Sequence, residues 1–150
     1  MANKERKHIY RYRKSSLIYK LDQNYEYQSS ITGVSFQHER FTLNTEGLIV
    51  VNKGYAWNGC SPKLSFFTMI FGTPEGDIHP EEEVPRTYYA SLVHDVLYQF
   101  SGDITATGQL ARKDVDREFY KLLKAHQFLP AFIYYLAVRT FGGLFWDGSG

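Results

Sequence analysis

The sequence predicts an α+β fold, with a small antiparallel β-sheet in the N-terminal part and three helices in the C-terminal part. Three observations predict it. Residues 8–57 carry short runs rich in Tyr, Ile, Val and Thr with partial alternation, as half-buried strands do. From about residue 86 apolar residues recur every three or four positions, the period of a helix with one buried face. Between two of the strand-like runs stands "NTEG", residues 44–47, a turn in which Gly47 is free to take positive φ.

The elements follow in order. "HIYRYRKSSLIYKL", "YEYQSSI", "FTL" and "LIVV" supply the strands. Residues 58–85 contain Gly59, Pro62, Gly72, Pro74, Gly76, Pro80 and Pro85, so they read as loop. The first helix starts near 86 and places Tyr89, Leu92, Val93, Val96 and Phe100 at helical spacing. "SGDITATGQ", residues 101–109, joins it to a second helix starting near 110, whose apolar set is Val115, Phe119, Leu122 and Leu123. The third starts near 130, with Pro130 to open it, Ile133, Leu136, Ala137, Thr140 and Phe141 as its recurring set, and Gly142 to end it. Residues 1–150 form a single domain with a β-rich part (1–57), a loop (58–85) and a helical part (86–150), a length that supports a real core.

Composition narrows the class. The chain is 43% hydrophobic and 17% aromatic, which excludes a disordered polymer. A net charge of +1 gives no global attraction for nucleic acid, so no specific nucleic-acid partner is expected. The charge is uneven: seven of the 17 basic residues lie in positions 1–20, and "PEGDIHPEEE" is acidic. The basic start is either a solvated terminus or a contact for phosphate, headgroups or an acidic partner. Cys60 is the only cysteine, so no intrachain disulfide can form, which fits an intracellular setting. "MANKERKHIYRYRK" has no apolar run after its charges and does not read as a signal peptide. No window reaches the roughly 20 apolar residues of a transmembrane segment. "FLPAFIYYLAVRTFGGLFW" comes closest, and Arg139 with the Gly pair makes it a buried helix and tail.

The chemistry gathers in "YYASLVHDVLYQF", residues 88–100. His94 and Asp95 are adjacent, so on a helix they point about 100° apart. His94 and Tyr98 are four apart and share a face. On the second helix Asp116 adjoins Val115 and Phe119, at the edge of the apolar stripe, and in an antiparallel pair it can face His94. A carboxylate on one imidazole nitrogen fixes the tautomer and leaves the other nitrogen as a base. Asp95, pointing elsewhere, can bind a cation or cap the loop "GYAWNGCSP", whose glycines allow exposed carbonyls of the kind calcium takes. The alternative is a buried His–Asp pair that only ties two helices together.

Other residues have weaker claims. Cys60 is a thiol nucleophile or a small core residue. His79, His94, Asp95 and Asp116 follow the ligand order of metal phosphohydrolases, but His79 stands in a Pro-rich acidic loop. His8, His38 and His126 have no partners in sequence and read as surface residues, and Trp57 and Trp146 as core or interface. Phe66, Phe67, Met69, Ile70 and Phe71 form an apolar cluster suited to lipid or partner contact, or to a short core helix.

"GYAWNGCSP", "SLVHDVLY", "DVDREFYKLLKA" and "YYLAVRTFGG" together resemble an uncharacterised family from tailed phages and prophages, over roughly residues 40–145. The same half resembles the secreted phospholipase A2 fold of bacteria and fungi, through "VHDVLY", "VDREFY" and "YYLAVRTFG" in that order. This resemblance implies a phospholipase A2-like bundle of three helices. It gives His94 the role of general base, Asp116 that of the carboxylate orienting it, and Tyr98 a place in the supporting hydrogen bonds. It makes Asp95 a calcium ligand, with carbonyls near Trp57, Asn58 and Gly59 completing the shell; beside such a site Phe66 and Phe67 of the apolar cluster would contact substrate. The calcium ion would polarise the ester carbonyl.

Three features depart from the pattern. Asn58 stands where an Asp is favoured, which lowers cation affinity. Ser91 replaces a cysteine, so the loop-to-helix disulfide is lost and the loop must be held by packing, through Trp57 and Pro62. Val96 and Leu97 replace an aromatic–Gly pair. The expected function is a phage-encoded, calcium-dependent lipid or ester hydrolase. The alternatives are a virion structural or assembly component docking other virion proteins through its aromatic surplus, and a small-molecule-binding counter-defence protein. The expected setting is the host bacterial cytoplasm or the virion.

Overall fold

Residue 49 shows why the sheet forms where it does. In "LIVV", Ile49 and Val51 are fully buried while Leu48 and Val50 are only partly so, the alternation of a strand with one face on a core. The computed structural model describes residues 19–57, 86–107 and 109–146, the side chains of 106, 107, 144 and 145 excepted. Within them the strands are β1 (Tyr19–Lys20), β2 (Tyr25–Gln28), β3 (Phe36–Gln37), β4 (Phe41–Leu43), β5 (Leu48–Val51) and β6 (Ala56–Trp57). Four of them make an antiparallel sheet in the order β2-β5-β4-β3, and β1 pairs antiparallel with β6. Register places Tyr25, Val51 and Phe41 in one cross-strand row and Tyr27, Ile49 and Leu43 in the next. Both rows face the helices.

The β4–β5 turn is the one the sequence marks. Asn44 Oδ1 accepts the N–H groups of Glu46 and Leu48, and Gly47 has φ +92°. A Cβ at Gly47 would lie 2.6 Å from the Ser29 carbonyl oxygen, so both the backbone angle and the close approach require glycine.

The helices are α1 (Tyr88–Gln99), α2 (Ser101–Thr107), α3 (Arg112–Ala125) and α4 (Ala131–Phe141), followed by a 3₁₀ turn over Gly142–Phe145. The mixed architecture of antiparallel β-structure followed by helices matches the sequence reading, with two small sheets where one was expected. Helix α2 corrects it. Gly102 and two threonines weaken "SGDITAT" as a helix, yet Ile104 is fully buried and Thr105 Oγ1 bonds back to the Ser101 carbonyl. Burial of one isoleucine outweighs the local preference, and the segment is helix rather than connection.

Helix α3 ends on a left-handed residue, Gln127 (φ +59°). The Phe128 N–H bonds the Leu123 carbonyl and the Gln127 N–H bonds the Lys124 carbonyl, the paired bonds of a Schellman motif. Phe128 packs as the accompanying buried apolar residue.

Helix α4 brings a second correction. Its core face is Ala131, Tyr134, Ala137 and Val138. Of the set expected from spacing only Ala137 is buried; Ile133, Leu136, Thr140 and Phe141 are exposed. The helix is apolar on nearly every side, so periodicity alone did not pick the inner face.

One buried cluster runs through sheet and helices. Tyr25 stacks on Tyr89 at 4.5 Å, Phe41 meets Phe100 at 5.1 Å, and Trp57 lies edge-on to Tyr88 at 4.8 Å between ring centroids. His38 and His126, expected on the surface, are half-buried beside Phe100 and Tyr89. His8 lies outside the described residues.

Candidate functional site

The centre of the site is a carboxylate with no solvent exposure. Asp116 on α3 is 0% exposed, deeper than the stripe edge that spacing suggests. Three groups from two neighbouring helices reach it. His94 Nε2 lies 3.0 Å from Oδ1, and the Tyr98 hydroxyl donates to the same oxygen at 2.5 Å, both from α1. Arg139 Nη1 from α4 donates to Oδ2 at 2.9 Å. Arg112 Nη1, one turn before Asp116, lies 3.6 Å from Oδ2 and donates to the carbonyls of Val138 and Arg139.

Each position follows from local structure. The four-residue step from His94 to Tyr98 stacks the two rings at 4.1 Å and points both at α3. Phe119, one turn beyond Asp116 towards the C-terminus of α3, also packs against the imidazole, tilted at 4.8 Å between ring centroids. Gly142 lets the C-terminus of α4 approach: a Cβ there would come 2.6 Å from the Tyr98 hydroxyl oxygen. Trp146 lies edge-on to Tyr98, and its Nε1 is buried without an acceptor among the described residues.

Burial pushes the Asp116 carboxyl upward. The hydrogen bond and charge attraction of His94, with the bonds from Tyr98 and Arg139, outweigh it and hold the group below the usual carboxylate range. Asp116 is therefore an anion that only accepts, and the hydrogen it shares with His94 belongs to Nε2. Among the described residues nothing bonds the other ring nitrogen, Nδ1, and the His94 side chain is 15% exposed. Burial, and then Asp116, push the Tyr98 phenol far above its usual range, so it stays a donor.

A second buried carboxylate ties sheet to helix. Glu118, 2% exposed, accepts from the Tyr27 hydroxyl at 2.5 Å, the Ser30 N–H at 2.9 Å and Lys121 at 2.9 Å. Burial pushes it up; the bonds from Tyr27, Lys121 and Ser30 outweigh this and hold it low. Both carboxyls thus have depressed values in the folded state, against ordinary ones of about 3.9 for Asp and 4.3 for Glu in the unfolded chain. The unfolded chain takes up protons first on acidification. The stability they contribute is full above about pH 5 and falls as pH drops through 4 and below. Thermal melts from pH 7 to 3 are expected to show this fall, and Glu118→Gln to flatten it; an equal slope in that variant would show that Glu118 does not contribute.

The other predicted residues divide. Asp95 points away from Asp116 towards β6, where the Tyr55 hydroxyl lies 3.2 Å from Oδ2 and bonds Gln99 at 2.8 Å. Trp57 is fully buried, and its Nε1 donates to Ser91 Oγ at 3.1 Å. Ser91 therefore ties strand to helix by a hydrogen bond. Asn58, Gly59, Cys60, Pro62, Phe66, Phe67 and His79 lie outside the described residues. Among the described residues no group of three His, Cys, Asp or Glu side chains converges as a metal site. Of the calcium ligands the resemblance implies, Asp95 and Trp57 are therefore placed along one side of α1, and the rest are not described.

Sequence reasoning missed Arg112, Arg139 and Glu118. Arg112 stands four residues before Asp116, a recognisable ion-pair spacing. Arg139 is the only charged residue in 127–146, a signal that it needs a buried partner.

Fold and site together define an α+β protein with a helix-borne His–Asp pair braced by tyrosine and arginine. The chain matches no family model, no curated protein and no solved structure. No helix among the described residues is long and apolar enough to cross a membrane.

Proposed function

We propose that the chain is a hydrolase of lipid or small esters, with His94 as general base and Asp116 as the group that orients it. The observation that carries this is the committed imidazole: Nε2 is held on Asp116 at 3.0 Å while Nδ1 remains unbonded among the described residues. In this reading Nδ1 takes a proton from water as the oxygen attacks the acyl carbon. The tetrahedral intermediate expels the alkoxide, which recovers that proton from the imidazolium. Asp116 stabilises the imidazolium without accepting the proton, and Tyr98 fixes the carboxylate. The helical part is then phospholipase A2-like, and the sequence resemblance supports a phage origin. Asp95 and carbonyls of Trp57, Asn58 and Gly59 would hold a calcium ion, whose chemistry is to polarise the ester carbonyl.

The test is release of fatty acid from phospholipid vesicles, and of acid from soluble esters, with calcium and with chelator. Asn58→Asp adds one anionic oxygen and is expected to raise calcium affinity about tenfold or more. If neither protein hydrolyses any ester and neither binds calcium, the hydrolase reading is wrong.

A second reading rests on Arg139. Its guanidinium already pairs with Asp116, so the carboxylate also serves as a bolt joining α1, α3 and α4. In that reading the chain is a non-catalytic virion component, or a small-molecule binder, that keeps the site as structure.

A further inference from the structure

One buried carboxylate is shared by two guanidiniums. Arg139 Nη1 lies 2.9 Å and Arg112 Nη1 3.6 Å from the same oxygen, Asp116 Oδ2, so the two cations are neighbours. Asp116 balances one of their charges and leaves the other over. One arginine would suffice to hold the carboxylate, so the second is not explained by it. The two side chains are only 16% and 32% exposed, so both charges have lost much of their water. A charge that is partly desolvated and lacks a counter-charge is costly, and an anion taken from solution would offset that cost.

The hydrogen-bond donors agree with the charge. A guanidinium carries its N–H groups in a rigid planar fork. Arg139 uses Nη1 on Asp116, and Arg112 uses Nη1 on the carbonyls of Val138 and Arg139. The Nε and Nη2 groups of both arginines have no acceptor among the described residues. They are not sealed inside the protein: among the described residues the buried side-chain nitrogen without a partner is Trp146 Nε1. Glycine keeps one approach open. A Cβ on the exposed Gly143 would lie 3.8 Å from both Cζ and Nη2 of Arg112, so a side chain there would cover a guanidinium that glycine leaves bare.

We propose that Arg112 and Arg139 form a binding site for a phosphate group that carries one negative charge. The Nε–Nη2 edge of a guanidinium is a pair of parallel donors, the arrangement that binds two oxygens of an oxoanion at once. Two such edges suit a tetrahedral phosphate better than a second planar carboxylate, which has only two oxygens to offer. The single surplus charge matches a phosphodiester or a monoanionic phosphate. The site adjoins His94, which holds the other oxygen of the same carboxylate, but it does not depend on ester hydrolysis.

Thermal melts of the full chain at neutral pH test this, with inorganic phosphate titrated against sodium chloride of equal ionic strength. Phosphate up to about 20 mM is expected to raise the melting temperature, saturably, by about 3–6 °C. Glycerophosphocholine, a soluble phosphodiester, separates the sources: a rise with it assigns the site to a lipid headgroup, and a rise with inorganic phosphate alone assigns it to the free ion. Gly143→Glu sets a carboxylate beside Arg112 at an exposed position with room for a Cβ. It is expected to keep the circular dichroism spectrum and abolish the response. Arg139→Gln keeps a donor towards Asp116 and is expected to weaken phosphate binding about tenfold or more. The proposal is overturned if neither compound shifts the wild-type melt. It is equally overturned if either folded variant responds as the wild type does, because the rise then comes from general exclusion of phosphate from the protein surface.

Discussion

Asp116→Ala is expected to lower stability by about 3–5 kcal/mol, the range for removing one partner of a buried ion pair. The carboxylate is 0% exposed and accepts from His94, Tyr98 and Arg139. Without it, the phenol loses its acceptor and the Arg139 guanidinium stands against a small cavity with no anion. Arg112 is less affected, because its Nη1 keeps the Val138 and Arg139 carbonyls. Asp116→Asn keeps the shape and one acceptor oxygen, so its cost is expected to be smaller. Urea unfolding followed by circular dichroism measures both. A loss below about 1 kcal/mol in Asp116→Ala, the scale of an exposed ion pair, would show that the three helices do not depend on this group.

On the hydrolase reading proposed above, His94→Gln is expected to reduce ester hydrolysis by about 10²-fold or more, because it removes the proposed base while keeping a donor towards Asp116. Stability is expected to change by only about 1 kcal/mol, the scale of the ring stacking on Tyr98 and Phe119 that the substitution removes. The two substitutions therefore separate function from structure. An active wild-type protein whose His94→Gln variant hydrolyses at the same rate would assign the chemistry to another group. Loss of activity in a folded variant, with melting nearly unchanged, would leave proton transfer at Nδ1 as the explanation.

Much of the arrangement was legible in single side chains and spacings. The alternation in "LIVV", the turn at Asn44–Gly47 and the stripe Val115, Phe119, Leu122 and Leu123 are local patterns, and each sits where its period places it. The facing of His94 and Asp116 was also legible, because two amphipathic helices that pack on their apolar stripes bring residues beside those stripes together. Helix α2 was not, since its weak local preference is overridden by the burial of Ile104 against elements distant in sequence. The inner face of α4 was not, because a helix apolar on both sides has no periodic contrast to read.

What the sequence determined by itself is the class of fold and the helices that carry His94 and Asp116, since period, turn residues and residue type are all local properties. Tertiary structure alone decided what surrounds them. Arg139 reaches Asp116 only because α4 packs on α3, and Gly142 lets the end of α4 close on Tyr98. Glu118 is a buried acceptor only because Tyr27 and Ser30 cover it from the sheet. Each of these depends on which surfaces meet, and a chain read residue by residue carries the surfaces without their partners.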